Sequence, residues 1–221
     1  MSEGSKLKDL KVVLVGETAV GKTSIISQFI EKIFQVDLQS STVGTLSTKT
    51  FIYNGNKLLK LEIWDTAGQE RYRSLTKMFY KEASVAIMVY DITRKQTYEE
   101  IKNYWADEIS NNAPENIIKV LCANKSDLID DETVDETEAR EYAKSIGALF
   151  HQTSAKNSYG INELFLDIAK KATNDENVKI KEDGENDEGE NEAVDEEPQD
   201  KFGSVKISKK QDMKKPKKGC C

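Results

Sequence analysis

The sequence predicts an α/β fold, a six-stranded, mostly parallel sheet with helices on both faces, on three observations. Short apolar, β-branched runs alternate with helix-spaced segments from Asp9 to Thr173. The first run, Leu10–Val15 (LKVVLV), passes through a glycine-bounded loop directly into the helix-spaced segment Thr23–Ile30 (TSIISQFI). After Thr173 the large apolar residues thin out abruptly, so one folded domain, residues 9–173, carries an appendage.

An unbroken β-branched run such as Leu10–Val15 suits a strand covered on both faces, where period-two alternation disappears. By the same reading Leu46–Tyr53, Leu58–Trp64, Ser84–Tyr90, Ile117–Cys122 and Ala148–Gln152 are strands. Helices are predicted around Gln69–Tyr80, Thr97–Asn111, Glu136–Ile146 and Tyr159–Thr173. Cys122 falls inside a buried strand and reads as a small apolar core residue. His151, the single histidine, lies at the end of another and reads as structural.

The loop between the first strand and helix is Gly16-Glu-Thr-Ala-Val-Gly-Lys22-Thr23, a G-x-x-x-x-G-K-T pattern. A glycine turn before an ordinary helix is the plain alternative, but strand, loop and helix together are the setting of a phosphate-binding P-loop. Gly16 and Gly21 let the backbone curl so that amides along Thr18, Ala19 and Val20 converge on phosphate oxygens. Those of Lys22, Thr23 and Ser24 add the positive end of a helix. Lys22 is then expected to meet the β- and γ-phosphates, and the Thr23 hydroxyl to hold Mg²⁺.

Guanine rather than adenine is expected from two later segments. Asn124-Lys125-Ser126-Asp127 follows a strand at the edge where open α/β sheets bind ligands. The Asp127 carboxylate can accept from guanine N1–H and the 2-amino group, whereas adenine would leave it desolvated and unpaired. In Ser154-Ala155-Lys156 the Ala155 amide can donate to guanine O6. Between these sites Asp65 ends an apolar strand and is the expected second holder of Mg²⁺. Gly68 offers an amide free of side-chain obstruction to a γ-phosphate, and Gln69 can both donate and accept, so it can orient a water.

GETAVGKT, WDTAGQE, NKSD and TSAK, in that order, resemble a small GTPase of the Ras superfamily. WDTAGQERYRSL and the final Gly219-Cys220-Cys221 are similar to the Rab family, and GETAVGKTS with EIWDTAGQERYRSL to its endosomal branch. The resemblance implies that Lys125 and Lys156 flank the guanine and that Phe34 covers the nucleotide. It also implies that Thr42, in Ser41-Thr42-Val43-Gly44, ligates Mg²⁺ and offers its amide to the γ-phosphate. Thr42 stands one residue further from Lys22 than the family spacing, where an ungapped alignment would put Ser41; the following Val and Gly favour Thr42. An effector-facing aromatic trio is reduced here to Trp64 with Phe79 or Tyr80, because Thr45-Leu46-Ser47 lacks the phenylalanine many Rabs carry.

Function follows as a GTP/GDP switch with slow hydrolysis, Lys22, Gly68 and Gln69 being the catalytic set, which an activating protein would assist with an arginine. The resemblance implies further partners: an exchange factor, effectors at the switch segments and Trp64, a prenylation escort and a dissociation inhibitor. A GTP-binding scaffold with little hydrolysis is the alternative, against which Gln69 argues. A nuclear GTPase addressed by its lysines is a third.

The net charge of −7 hides two opposite segments. Residues 174–200 are acidic and poor in apolar groups, an expected disordered spacer. Residues 201–221 are lysine-rich and end in Cys220 and Cys221, which reads as a doubly lipidated membrane anchor rather than a nucleic-acid patch. No signal peptide or long apolar run is found, which predicts a cytosolic protein, and the resemblance implies that it cycles between the cytosol and the cytosolic face of intracellular membranes, endomembrane or endosomal.

Overall fold

The computed structural model describes residues 8–35, 45–66 and 79–181. Their strands are β1 (Lys8–Val15), β2 (Thr45–Tyr53), β3 (Lys57–Asp65), β4 (Val85–Asp91), β5 (Ile118–Asn124), β6 (Leu149–Thr153) and β7 (Lys179–Ile180). They form one sheet in the order β6-β5-β4-β1-β3-β2-β7. β6, β5, β4, β1 and β3 run parallel; β2 is antiparallel to β3, and β7 to β2. The predicted architecture holds, with one strand more than the six expected.

Burial explains the strand sequences. β4 (VAIMVYD) is buried along its whole length, as a central parallel strand must be. β3 lies nearer the edge and alternates, with Leu59, Leu61 and Ile63 inward and Lys60 and Glu62 only partly covered. Asn54, Gly55 and Asn56 close the β2–β3 hairpin between the paired Tyr53 and Lys57, with left-handed φ of 46° at Asn54 and 86° at Gly55, the residue types that tolerate that region.

On one face of the sheet lie α1 (Lys22–Glu31) and, near the other end of the chain, Ile161–Thr173. Phe29 of α1 stacks on Phe165 at 3.9 Å between ring centres and on Phe51 of β2 at 6.2 Å. The other face carries α2 (Lys95–Glu100), a π-helical turn (Ile101–Trp105) and α3 (Ala106–Asn112), which together make the helix predicted at 97–111. Beside it packs α4 (Glu136–Ser145), over a core of Tyr90, Tyr98, Ile101 and Trp105. The helix of residues 161–173 is α5. Of the helix predicted at 69–80, only Phe79 and Tyr80 are among the described residues, and both are helical.

Cys122 is buried in the first core with its thiol pushed up to about 12 by desolvation, which suits an inert core residue. His151 is pulled below its ordinary value, chiefly by burial, while Asp167, 3.5 Å away, opposes the shift. Both sit in structural surroundings.

β7 corrects the boundary at Thr173. Residues 174–181, expected to begin a disordered spacer, turn back from α5 and join the sheet. Asp175 accepts from the Asn54 amide at 2.6 Å and from the Asn177 amide at 2.9 Å. Val178 is buried, Ile180 packs against the same core, and the Lys181 amide donates to the Thr50 carbonyl at 3.0 Å. The segment is too polar to form a core alone, but its two apolar residues use one that already exists. No helix among the described residues is long and apolar enough to cross a membrane.

Candidate functional site

Parallel pairing brings five strand ends to one edge. Leu14 lies beside Asp65, Asp91 beside Asn124, and Asn124 beside Thr153, so the loops after β1, β3, β4, β5 and β6 converge. That edge is where an open α/β sheet offers a crevice.

The loop after β1 has the curl its glycines anticipate. Gly16 has φ 138°, and a side chain there would run into the Val89 carbonyl; Gly21 has φ 98°, and a side chain would meet the Asn124 amide nitrogen. Ala19 holds φ 61°, a left-handed angle that costs an L-residue roughly 1–2 kcal/mol. Lys22 is buried, and its ammonium donates to the Gly16 and Glu17 carbonyls at 2.8 and 2.9 Å. Burial lowers its pKa to about 8, against the pull of Asp65 and Glu17. A desolvated cation ringed by loop backbone is a receptor for an anion. Beside it the Thr23 hydroxyl donates to Asp65 Oδ2 at 2.7 Å. This pair of hard oxygen donors next to a phosphate loop fits Mg²⁺. The fit to a nucleoside phosphate with its metal therefore rests on the chemistry of the residues present.

Asn124 ties this half of the site to the other. Its amide nitrogen donates to the Val20 carbonyl at 2.8 Å, and its oxygen accepts from Thr153 Oγ1 at 3.1 Å. The two loops thus set each other's position. Asp127 opens the 3₁₀ turn Ser126–Asp131 and accepts from Ser154 Oγ at 2.6 Å, with Lys156 Nζ 3.7 Å away. Ser154 braces the carboxylate, and the next residue, Ala155, is buried. Lys125, at φ 69°, reaches Asp91 Oδ2 at 2.6 Å.

Asp91 and Arg94 are the residues that sequence reasoning missed. Asp91 is buried at the end of β4, accepts from the Thr93 amide and hydroxyl at 3.0 and 2.7 Å, and receives Arg94 Nε at 3.0 Å. Burial alone would raise its pKa, but the hydrogen bonds from Lys125 and Thr93 outweigh it and hold the carboxylate below its ordinary value. Arg94 Nη2 continues to the Thr18 carbonyl at 3.0 Å, so one guanidinium joins the phosphate loop to the Asp91–Lys125 pair. The available signal was a carboxylate closing the apolar run VAIMVY.

Phe34 lies past the Lys32 cap of α1 and is 38% exposed, so it is not committed to the core. Trp64 is half-buried against Phe79, 5.5 Å between ring centres, with Lys11 Nζ 5.6 Å above it. Tyr80 is instead buried and donates to Glu108 Oε1 at 2.6 Å, which leaves Phe79 as Trp64's aromatic neighbour. Leu46, exposed at 45%, stands across from Trp64 in the β2–β3 pairing and extends the same patch. Ser41, Thr42, Gly68, Gln69, Cys220 and Cys221 lie outside the described residues.

Comparison with known proteins agrees with this geometry. The Ras family profile matches residues 11–174. Ras-related protein Rab-22A of Homo sapiens is 46% identical over 165 residues, 75% of this chain and 84% of that protein. Ras-related protein Rab-31 of Rattus norvegicus is 43% identical over 164 residues, 74% and 83% of the two chains.

Proposed function

The chain belongs to the Ras family, within its Rab group of small GTPases, and from that premise we propose that it is a membrane-cycling switch whose GTP-bound form recruits effectors in vesicle traffic. It is a GTPase that uses Mg²⁺ and converts GTP and water to GDP and phosphate. The observation that carries the reading is the Asn124–Val20 hydrogen bond, which joins a guanine-type loop to a phosphate loop beside the Thr23–Asp65 pair.

Mg²⁺, when bound, would supply charge neutralisation at the phosphates. Thr23, Asp65 and Thr42 are its proposed holders, and Lys22 with the loop amides Gly16 to Ser24 stabilises the charge that spreads as the γ-phosphoryl group departs. Gln69 orients the attacking water, whose oxygen bonds to phosphorus in line as the bond to the β-phosphate oxygen breaks. Gly68 is assigned to offer its amide to the same phosphate. Asp127 and the Ala155 amide read guanine, Lys125 and Lys156 flank it, and Phe34 covers the nucleotide. Release of phosphate frees Thr42 and Gly68, so the two forms select different partners.

Exchange factors, activating proteins and effectors are the partners of a Rab-type switch, and Leu46, Trp64 and Phe79 are the proposed effector-facing patch. We assign lipid attachment to Cys220 and Cys221, handling by an escort and a dissociation inhibitor, and residence on endosomal membranes. The lysine-rich stretch before the cysteines supports the anchor, because lysines near an anionic leaflet contribute on the order of 1 kcal/mol each.

The test is nucleotide affinity with Mg²⁺ for GDP, GTP and ATP, followed by phosphate release from GTP. Guanine-selective binding with slow release is expected, and Gln69→Leu should slow release further. Equal affinity for ATP would overturn the assignment of Asp127 and Ala155. Wild type and Gln69→Leu equally inert, with and without activating proteins, would favour a scaffold without hydrolysis.

A further inference from the structure

Gln28 is a buried polar side chain of α1 for which the nucleotide chemistry has no use. It is 5% exposed, and its Nε2 donates to Ser158 Oγ at 2.6 Å. A buried amide is costly without a partner, so this bond constrains both of its ends. One turn further along α1, Lys32 Nζ donates to Asn162 Oδ1 at 3.0 Å. Two side chains four residues apart thus reach across to two positions four residues apart.

Ser158 belongs to the loop that leaves β6 for α5, and that loop is tightly folded. Ser158 has φ 67° and Gly160 φ 68°, and a side chain on Gly160 would run into the Gln152 carbonyl. A serine sits in the left-handed region against its backbone preference, and the bond from Gln28 meets its hydroxyl there. The Ser154 amide donates to the Tyr159 carbonyl at 2.9 Å, and the Asn157 amide to Ser154 Oγ at 3.3 Å, which closes the loop on itself. Ser154 Oγ is the group that donates to Asp127 Oδ1 at 2.6 Å. One connected path therefore runs from α1 through Ser158 and Tyr159 to Ser154 and the Asp127 carboxylate.

We propose that Gln28 is a positioning residue for guanine: by fixing Ser158 it sets the loop that aims Ser154 and, through it, Asp127. The inference rests on the reading of Asp127 as the guanine acceptor. Gln28 lies ~9 Å along the helix from Lys22, at 1.5 Å per residue, and acts through the loop rather than by contact. Because α1 also carries Lys22 and Thr23 in its first turn, the same helix registers the base against the phosphates.

The test is the affinity of the full chain, with Mg²⁺, for GDP and for inosine diphosphate, which keeps N1–H and the phosphates but lacks the 2-amino group that Asp127 accepts. Wild type should prefer GDP. Gln28→Met, similar in volume but without the donor, should reduce GDP affinity about three- to tenfold, the loss one hydrogen bond sets. Inosine diphosphate should lose less, so the preference for GDP narrows. Ser158→Ala, at an exposed position that leaves the core intact, should narrow it equally, and the double variant no further. Lys32→Ala removes only the neighbouring bond and should leave the preference unchanged. A purely structural role for Gln28 would lower both affinities by one factor. That result, additive effects of the two substitutions, or an equal narrowing by Lys32→Ala would overturn the proposal. A wild type with no preference for GDP would instead overturn the reading of Asp127, and the proposal with it.

Discussion

Lys22 joins burial, charge and ligand affinity in one side chain. Desolvation lowers its pKa to about 8. Phosphates favour the ammonium, so the complex holds that proton to a higher pH than the free protein does. Affinity should therefore be flat below about pH 8 and weaken above it, by up to about tenfold per pH unit. Calorimetric titration with GDP across pH 7 to 9.5, in buffers of different ionisation enthalpy, checks this; proton uptake at the high end is the expected signature. Arg94 acts differently, since it bridges Asp91 and the Thr18 carbonyl without lying on the Thr23–Asp65 pair. Arg94→Met should speed GDP release about three- to tenfold, a range set by a charged hydrogen bond discounted for partial exposure. Stopped-flow release of a fluorescent GDP measures it. Arg94→Lys should recover only part of the effect, because an ammonium cannot span both acceptors in a planar fork.

At the level of elements, local chemistry and long-range pairing divide the work. α4 begins where Asp135 accepts from the Glu138 amide at 2.8 Å, with Glu136 and Glu138 in its first turn. Asp135→Ala should cost about 1 kcal/mol, read as a shift in the urea midpoint at unchanged slope. Legible from sequence alone were this helix from Glu136, though not its Asp135 cap, the central strands, whose apolar runs fit the buried parallel sheet, and the G-x-x-x-x-G-K-T loop. The Thr23–Asp65 contact was legible too, as two expected holders of one metal. Other features depend on partners distant in sequence. Asp91 and Arg94 gain meaning only when β4 lies beside β5 and the phosphate loop, and β7 only when α5 returns the chain to β2. The π turn at Ile101–Trp105 leaves no mark in a helical periodicity that reads correctly from 97 to 111. Tyr80 could not be separated from Phe79 until the helix face was known.

For the whole molecule, the described fold runs on past Thr173 to Lys181. A chain ended at Thr173 loses the Val178 side chain from the core and the Asp175 bonds to the hairpin turn. It should be less stable than one ended at Lys181 by roughly 2–3 kcal/mol, chiefly the burial of one valine. Paired denaturant titrations of the two chains, each with GDP and Mg²⁺, would show it, and equal midpoints would mean that β7 is ornamental. The same two-residue strand has a mechanical consequence. Any pull on the chain beyond Lys181 is carried first by the β7–β2 pairing, which is far weaker than the five-strand parallel sheet behind it. Once it yields, residues 174–181 can pay out roughly 26 Å of extra reach at ~3.3 Å per residue, with the nucleotide edge untouched. The fold thus has a slack reserve at its attachment point, a fuse that lengthens under load before the domain itself is strained.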